Sequence, residues 1–179
     1  MYSGGELERL LRDIDEEAAL ELGPLAPPAP VVIVGGSAFM LRKLSTRPAT
    51  HDVDVLEADA AVQSVLSRYP ALNGAVAAYA DEIPWGFGDR LERILCDTRA
   101  IAWLLPSLED LVVMKLNACR PPDIADLASP KTLAALDWDL LEHLVRDEDE
   151  ARSSALSERR YCEMVAAYHR YRGEYGPCV

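Results

Sequence analysis

Between residues 5 and 22 the apolar positions Leu7, Leu10, Leu11, Ile14, Ala18 and Leu22 fall close to helical spacing, with acidic residues between them. That pattern predicts an amphipathic helix. Gly23-Pro24, Pro27-Pro28 and Pro30 form a stiff connector that cannot continue it. Val31-Val32-Ile33-Val34 is a short β-branched run, the composition of a buried strand. Gly35-Gly36-Ser37 ends that strand, and Ala38 to Leu44 reads as a short helix with Ser37 as its N-cap. After a loop over 45–50, residues 51–56 alternate. They predict a second strand with Asp52 and Asp54 on one face and Val53 and Val55 on the other.

Residues 58–68 look helical, and 70–88 are less regular. Leu91 to Cys96 and Ala100 to Leu105 read as two further strands, although 90–95 also fits the start of a helix. Ser107 caps a helix running to about Cys119, with Glu109 and Asp110 in its first turn. Pro121-Pro122 breaks it, and residues 123–146 are mostly helical with a break at Ser129-Pro130. The acidic run 147–150 reads as a solvated face or hinge, and 151–172 as a terminal helix ending near Gly173. No internal repeat is visible. The order of elements predicts an α/β protein. An N-terminal helix and proline-rich connector (1–29) precede a small mixed sheet flanked by helices (30–127), and a helical C-terminal part (128–179) follows.

Composition narrows the class. The chain has 179 residues, half of them hydrophobic, enough for one ordinary core. No apolar run reaches the roughly 18 residues of a membrane span, and the N-terminus lacks a signal peptide's basic start, so the sequence predicts a cytoplasmic protein with no membrane partner. Cys96, Cys119, Cys162 and Cys178 show no CxxC or histidine spacing. They are expected to be small buried hydrophobes rather than zinc ligands. Trp85, Trp103 and Trp138 are expected in the core or at a domain contact. The net charge of −12 argues against broad nucleic-acid binding. The basic stretch Arg42, Lys43 and Arg47 nevertheless lies where an anionic substrate would sit, a solvated face being the alternative.

The candidate chemistry lies in Gly35-Gly36-Ser37 and Asp52-Val53-Asp54. Two glycines let backbone approach a phosphate closely, amides at a helix start favour the anion, and Ser37 adds a hydroxyl. Asp52 and Asp54 on one strand face would stand about 6.5 to 7 Å apart. Such a pair can share Mg²⁺ with triphosphate oxygens, because magnesium is usually held by one or two carboxylates plus substrate. The bland alternative is two exposed acids in a turn or on an edge strand.

These residues carry a resemblance. VVIVGGSAFMLRKLSTRPATHDVDVL (31–56) and LPSLEDLVVMKLNACRPPDIADL (105–127) together resemble the nucleotidyltransferase superfamily with the DNA polymerase β-like fold. Within it, the chain is most similar to small bacterial proteins related to AbiEii-type toxin nucleotidyltransferases. The resemblance implies a nucleotidyltransferase fold. By the resemblance Gly36 and Ser37 would hold the triphosphate, Asp52 and Asp54 would bind Mg²⁺ (or Mn²⁺), and Lys115 would act in the same cleft; the glycine turn and the basic stretch add Gly35 and Arg42 to the expected nucleotide-binding residues. Asp123 and Asp126 match the acids of the second segment. For Lys115 the alternatives are snorkelling or pairing with a structural acid; for Asp123, a helix N-cap after Pro121-Pro122.

Two departures bear on activity. Pro122 stands where the family often has lysine, and the third carboxylate of active members has only Glu92 or Asp97 as candidates. The expected function is Mg²⁺-dependent transfer of a nucleotidyl group from an NTP to tRNA, a protein or a small molecule. The resemblance adds a toxin role in a toxin–antitoxin or phage-defence system, with a cognate antitoxin as partner. The alternative is a catalytically degenerate nucleotide-binding or protein-interaction module.

Overall fold

The computed structural model describes residues 1–23, 26–155 and 157–177. Pro24 of the expected connector, Leu156 of the expected terminal helix and Cys178 lie outside the described residues. The chain divides into two compact units, one built from Met1–Ala78 and Leu91–Pro106, the other from Tyr79–Arg90 and Ser107 onward.

The first unit is the α/β part. Its five-stranded mixed sheet has the order β3-β2-β1-β5-β4, formed by β1 (Ala29–Val34), β2 (Val53–Ala58), β3 (Leu72–Asn73), β4 (Glu92–Arg93) and β5 (Ile101–Leu105). β1 is central, antiparallel to β2 and parallel to β5. A strand covered on both faces needs no alternation, which accounts for the burial of Val31, Val32, Ile33 and Val34 alike. Helix α1 (Gly4–Leu22) sinks Leu7, Leu11, Ile14 and Ala18 completely. Its buried Asp15 accepts backbone N–H bonds from Arg99, Ala100 and Ile101, tying the helix to the start of β5.

Several boundaries moved. β2 begins at Val53, so Asp52 lies just before the strand rather than within it. A bulge opposite Val32 and Ile33 inserts Leu56 as an extra residue, so Leu56 is buried along with Val53 and Val55. α2 spans Gly35–Leu41, with Val34 as N-cap instead of Ser37. The expected helix at 58–68 shrinks to a 3₁₀ turn (Ala60–Val62) and α3 (Gln63–Leu66), capped by Asp59, whose carboxylate accepts from the Ala61 N–H.

The second unit is helical: α4 (Leu108–Ala118), α5 (Pro121–Leu127), α6 (Pro130–Ala135), α7 (Trp138–Arg146), α8 (Ala151–Ser154) and α9 (Glu158–Tyr175). α4 is its core helix, buried from Leu108 through Leu116, and it packs against α5, α7 and α9. Ser107 caps it as the sequence predicts, accepting from the Asp110 N–H at 3.1 Å. α9 buries Met164, Ala167, Tyr168 and Tyr171 on one stripe and runs past Gly173. Glu150, from the acidic run, is not simply solvated, because its carboxylate holds Arg90 and the Gly86 N–H.

Two expectations about apolar residues fail. Cys96, Cys119 and Cys162 are exposed free thiols, because each lies at a turn, cap or outward helical position rather than on a core face. Trp103 is buried and Trp138 stacks near Tyr171, but Trp85 is 74% exposed on a 3₁₀ segment. His143 and His169 are exposed on helices. Among the described residues no helix is long and apolar enough to cross a membrane.

Candidate functional site

The strand-to-helix turn after β1 turns on Gly35, whose φ of 66° lies in the left-handed region. A side chain there would be strained and would overlap the Asp54 carboxylate, whose Cγ stands 3.1 Å from the Cβ position. Gly36 has ordinary backbone, and its missing side chain leaves room for the Arg47 guanidinium, with Nη2 2.6 Å and Cζ 3.2 Å from where a Cβ would be. The two glycines therefore serve two separate approaches, a carboxylate at one and a guanidinium at the next.

Ser37 is fully buried. Its hydroxyl donates to the Val34 carbonyl at 2.9 Å and accepts from the Asp54 N–H at 3.2 Å. The two bonds stitch the turn to β2 and engage the hydroxyl within the fold. Asp54 is half-buried, and its Oδ1 accepts from the Asn73 amide on β3 at 3.1 Å. Asp52 is half-buried before β2; its carbonyl accepts from the Thr50 hydroxyl, and Thr50 is held by a two-way backbone bridge to Tyr2. This unit thus brings Gly35, Gly36, Ser37, Arg47 and Asp54 together, with Asp52 two residues before Asp54.

Arg42 is engaged elsewhere. Its guanidinium donates to Glu92 at 3.0 Å and to the Pro106 carbonyl at 2.5 Å. Arg47, from the same basic stretch, is the guanidinium at the turn. Both candidate third carboxylates are held by arginines, Glu92 by Arg42 at 3.0 Å and Asp97 by Arg12 at 2.8 Å, and both acids are largely exposed. β4 is three strands from β2, about 14 Å at the usual strand spacing, so Glu92 cannot join Asp54. Among the described residues no three histidine, cysteine or acidic groups converge as a metal site. All five residues of β5, the strand beside β1, are apolar.

The second unit gathers the other predicted residues. Lys115 is 4% exposed, and its ammonium donates to Asp123 at 2.8 Å and Asp126 at 3.0 Å. A buried charge must be paired, and α5 supplies both partners one turn apart. Asp123 is not the N-cap; Arg120 is, and its guanidinium adds a bond to Asp123 at 2.7 Å. Burial works against the Asp123 carboxylate, but hydrogen bonds from Arg120 and Lys115 outweigh it and hold Asp123 below the usual range. On the same helix, Asp110 receives Ser107 and Arg90, and Glu109 accepts the Asp137 N–H. Every charge buried on α4 therefore has a partner.

The sequence singles out Arg47 only as part of the basic stretch between the motifs, and it does not single out Asn73. Nothing local marks residues 72–73 as a strand pairing with β2.

The family of nucleotidyltransferases of unknown function (DUF6036) matches residues 9–175. No curated protein and no solved structure matches the chain. With the match spanning nearly the whole chain, and with the glycine turn and the Asp-x-Asp motif both inside it, the protein belongs to the DUF6036 nucleotidyltransferase family.

Proposed function

We propose that the protein binds a nucleoside triphosphate at the Gly35-Gly36 turn and transfers its nucleotidyl group to an acceptor. The observation that carries this reading is the side-chain-free turn flanked by the Asp54 carboxylate and the Arg47 guanidinium. The donor set suits Mg²⁺ or Mn²⁺: Asp52 and Asp54 offer hard oxygens, and Asn73 engages one carboxylate oxygen of Asp54 and orients it. Bound there, the ion would polarise the phosphate and stabilise the leaving oxygen.

In the transfer, an acceptor oxygen bonds to the α-phosphorus and the bond to the bridging oxygen of the β-phosphate breaks. Pyrophosphate leaves, and the acceptor proton passes to solvent or a carboxylate. The net charge of −12 favours a protein hydroxyl or small molecule over tRNA as acceptor. The resemblance to AbiEii-type toxins supports a toxin role with a cognate antitoxin as partner.

A second reading, nucleotide binding without turnover, is favoured by the apolar β5 and by the arginine pairing of Glu92 and Asp97. Labelled NTPs with Mg²⁺ and a cell extract separate the two. Label should enter an acceptor with the wild type and fall at least about 100-fold, ~2.7 kcal/mol, in Asp52→Ala and Asp54→Ala. Thermal stabilisation by Mg²⁺-NTP without incorporation would leave only the binding module; neither effect would sink both readings.

A further inference from the structure

We propose that Arg47 is the residue of this site that recognises the phosphate tail, making binding depend on the number of phosphates. The inference rests on the nucleotide reading above and adds a residue and a selectivity to it. Arg47 lies in the loop between α2 and β2, and its backbone N–H donates to the Ser45 hydroxyl at 3.1 Å. Its side chain is half-buried and runs back across the loop to lie against Gly36. The contact is close: three guanidinium atoms lie within 3.3 Å of the Gly36 Cβ position, so any other residue there would push the group away.

Charge and geometry both point to this residue. Asp52 and Asp54 make the local field negative in a chain already at −12, so an anionic tail needs a counter-charge next to the turn. Arg42 sets its charged end against Glu92 and the Pro106 carbonyl, and Lys43 is exposed at a left-handed position (φ 61°) just after α2. Arg47 is the cation whose charged end stands against the glycine backbone. Its planar fork can grip two phosphate oxygens at once, which a lysine ammonium cannot. A nucleotide seated with its sugar away from the turn would meet this fork through its terminal phosphates. Discrimination by phosphate number then comes from the tail.

The test is a titration of the full chain with AMP, ADP, ATP and GTP in the presence of Mg²⁺, read by calorimetry or displacement of a fluorescent nucleotide. The wild type should bind ATP and GTP at least about tenfold, ~1.4 kcal/mol, more tightly than AMP. Arg47→Gln should flatten that gradient by weakening ATP and GTP more than AMP, and Arg47→Lys should restore part of it. A merely structural Arg47 would weaken all the nucleotides together. An Arg47→Gln gradient equal to wild type overturns the inference and leaves the nucleotide reading intact. If the wild type binds no nucleotide, both fall. Should Arg47→Gln fail to fold, Arg47→Lys decides, since an undiminished gradient there excludes a two-pronged grip. Gly36→Ala keeps the arginine but displaces its charged end, and it should also lower the gradient.

Discussion

A methyl group at Gly35 and one at Gly36 meet different obstacles, and the difference is measurable. At Gly35 it would be strained by the left-handed backbone and driven into a carboxylate anchored by Asn73. At Gly36 the backbone is ordinary and the obstacle is the far end of a flexible arginine, which can swing aside. Gly35→Ala should therefore destabilise by about 1 to 2 kcal/mol or more from backbone strain alone, and Gly36→Ala by well under about 1 kcal/mol. Urea denaturation of the two variants checks this, and equal losses would contradict the assignment. The left-handed residue is Gly35, the first of the pair, while Gly36 has ordinary backbone. Ser37→Ala removes a bond to the Val34 carbonyl and one from the Asp54 N–H. Its cost should appear as stability before affinity, about 1 to 3 kcal/mol for buried groups left unsatisfied.

Among the elements, α4 shows most directly how an apolar helix carries charge. Nine consecutive residues are buried, and the three ionisable ones each meet a partner brought by another segment. Read alone, Lys115 invites the expectation that Lys115→Met would hardly change stability. The pairing reverses it, because the methionine would leave Asp126, which is fully buried, and Asp123 without the ammonium between them. The loss should be on the order of 3 kcal/mol. Chemical denaturation of Lys115→Met measures it, and a change below about 1 kcal/mol would show that the pairing contributes little. The double variant Lys115→Met with Asp126→Asn should recover part of the loss, since it removes the stranded charge.

For the molecule as a whole, the same ionic contacts set the response to acid. The Asp123 carboxylate is held below its reference value of 3.8 and that of Glu150 below 4.5. For Glu150 burial opposes ionisation, and the hydrogen bonds from Arg90 and the Gly86 N–H outweigh it. Both groups bind fewer protons folded than unfolded, so their stabilisation is full above the reference values and is lost as pH falls through the lower folded ones. Glu82 runs the other way: burial raises it above 4.5 despite its contact with Arg160. Its contribution is full below 4.5 and fades as pH rises through its folded value. The thermal midpoint should therefore fall as pH drops below 4.5 and on through 3.8. Asp123→Asn should show a shallower fall than wild type below pH 3.8, and an identical slope there would remove Asp123 from the cause.

The sequence by itself determined whatever depends on neighbours in the chain. Hydrophobic spacing located α1, where one buried face imposes a helical period, and an unbroken β-branched run located β1, which is buried on both faces. The Ser107 cap marked the start of α4 and is equally local, and the glycine pair and the two aspartates were visible as a motif. The tertiary structure alone decided which charges meet. Arg42 and Arg47 are five positions apart in one basic stretch, yet one goes to Glu92 and the other to Gly36. It likewise turned Ser37 inward and sent Glu92 and Asp97 to arginines. Ion pairs and buried hydroxyl bonds are set by distance after folding, between groups tens of residues apart, and local spacing holds no record of that distance.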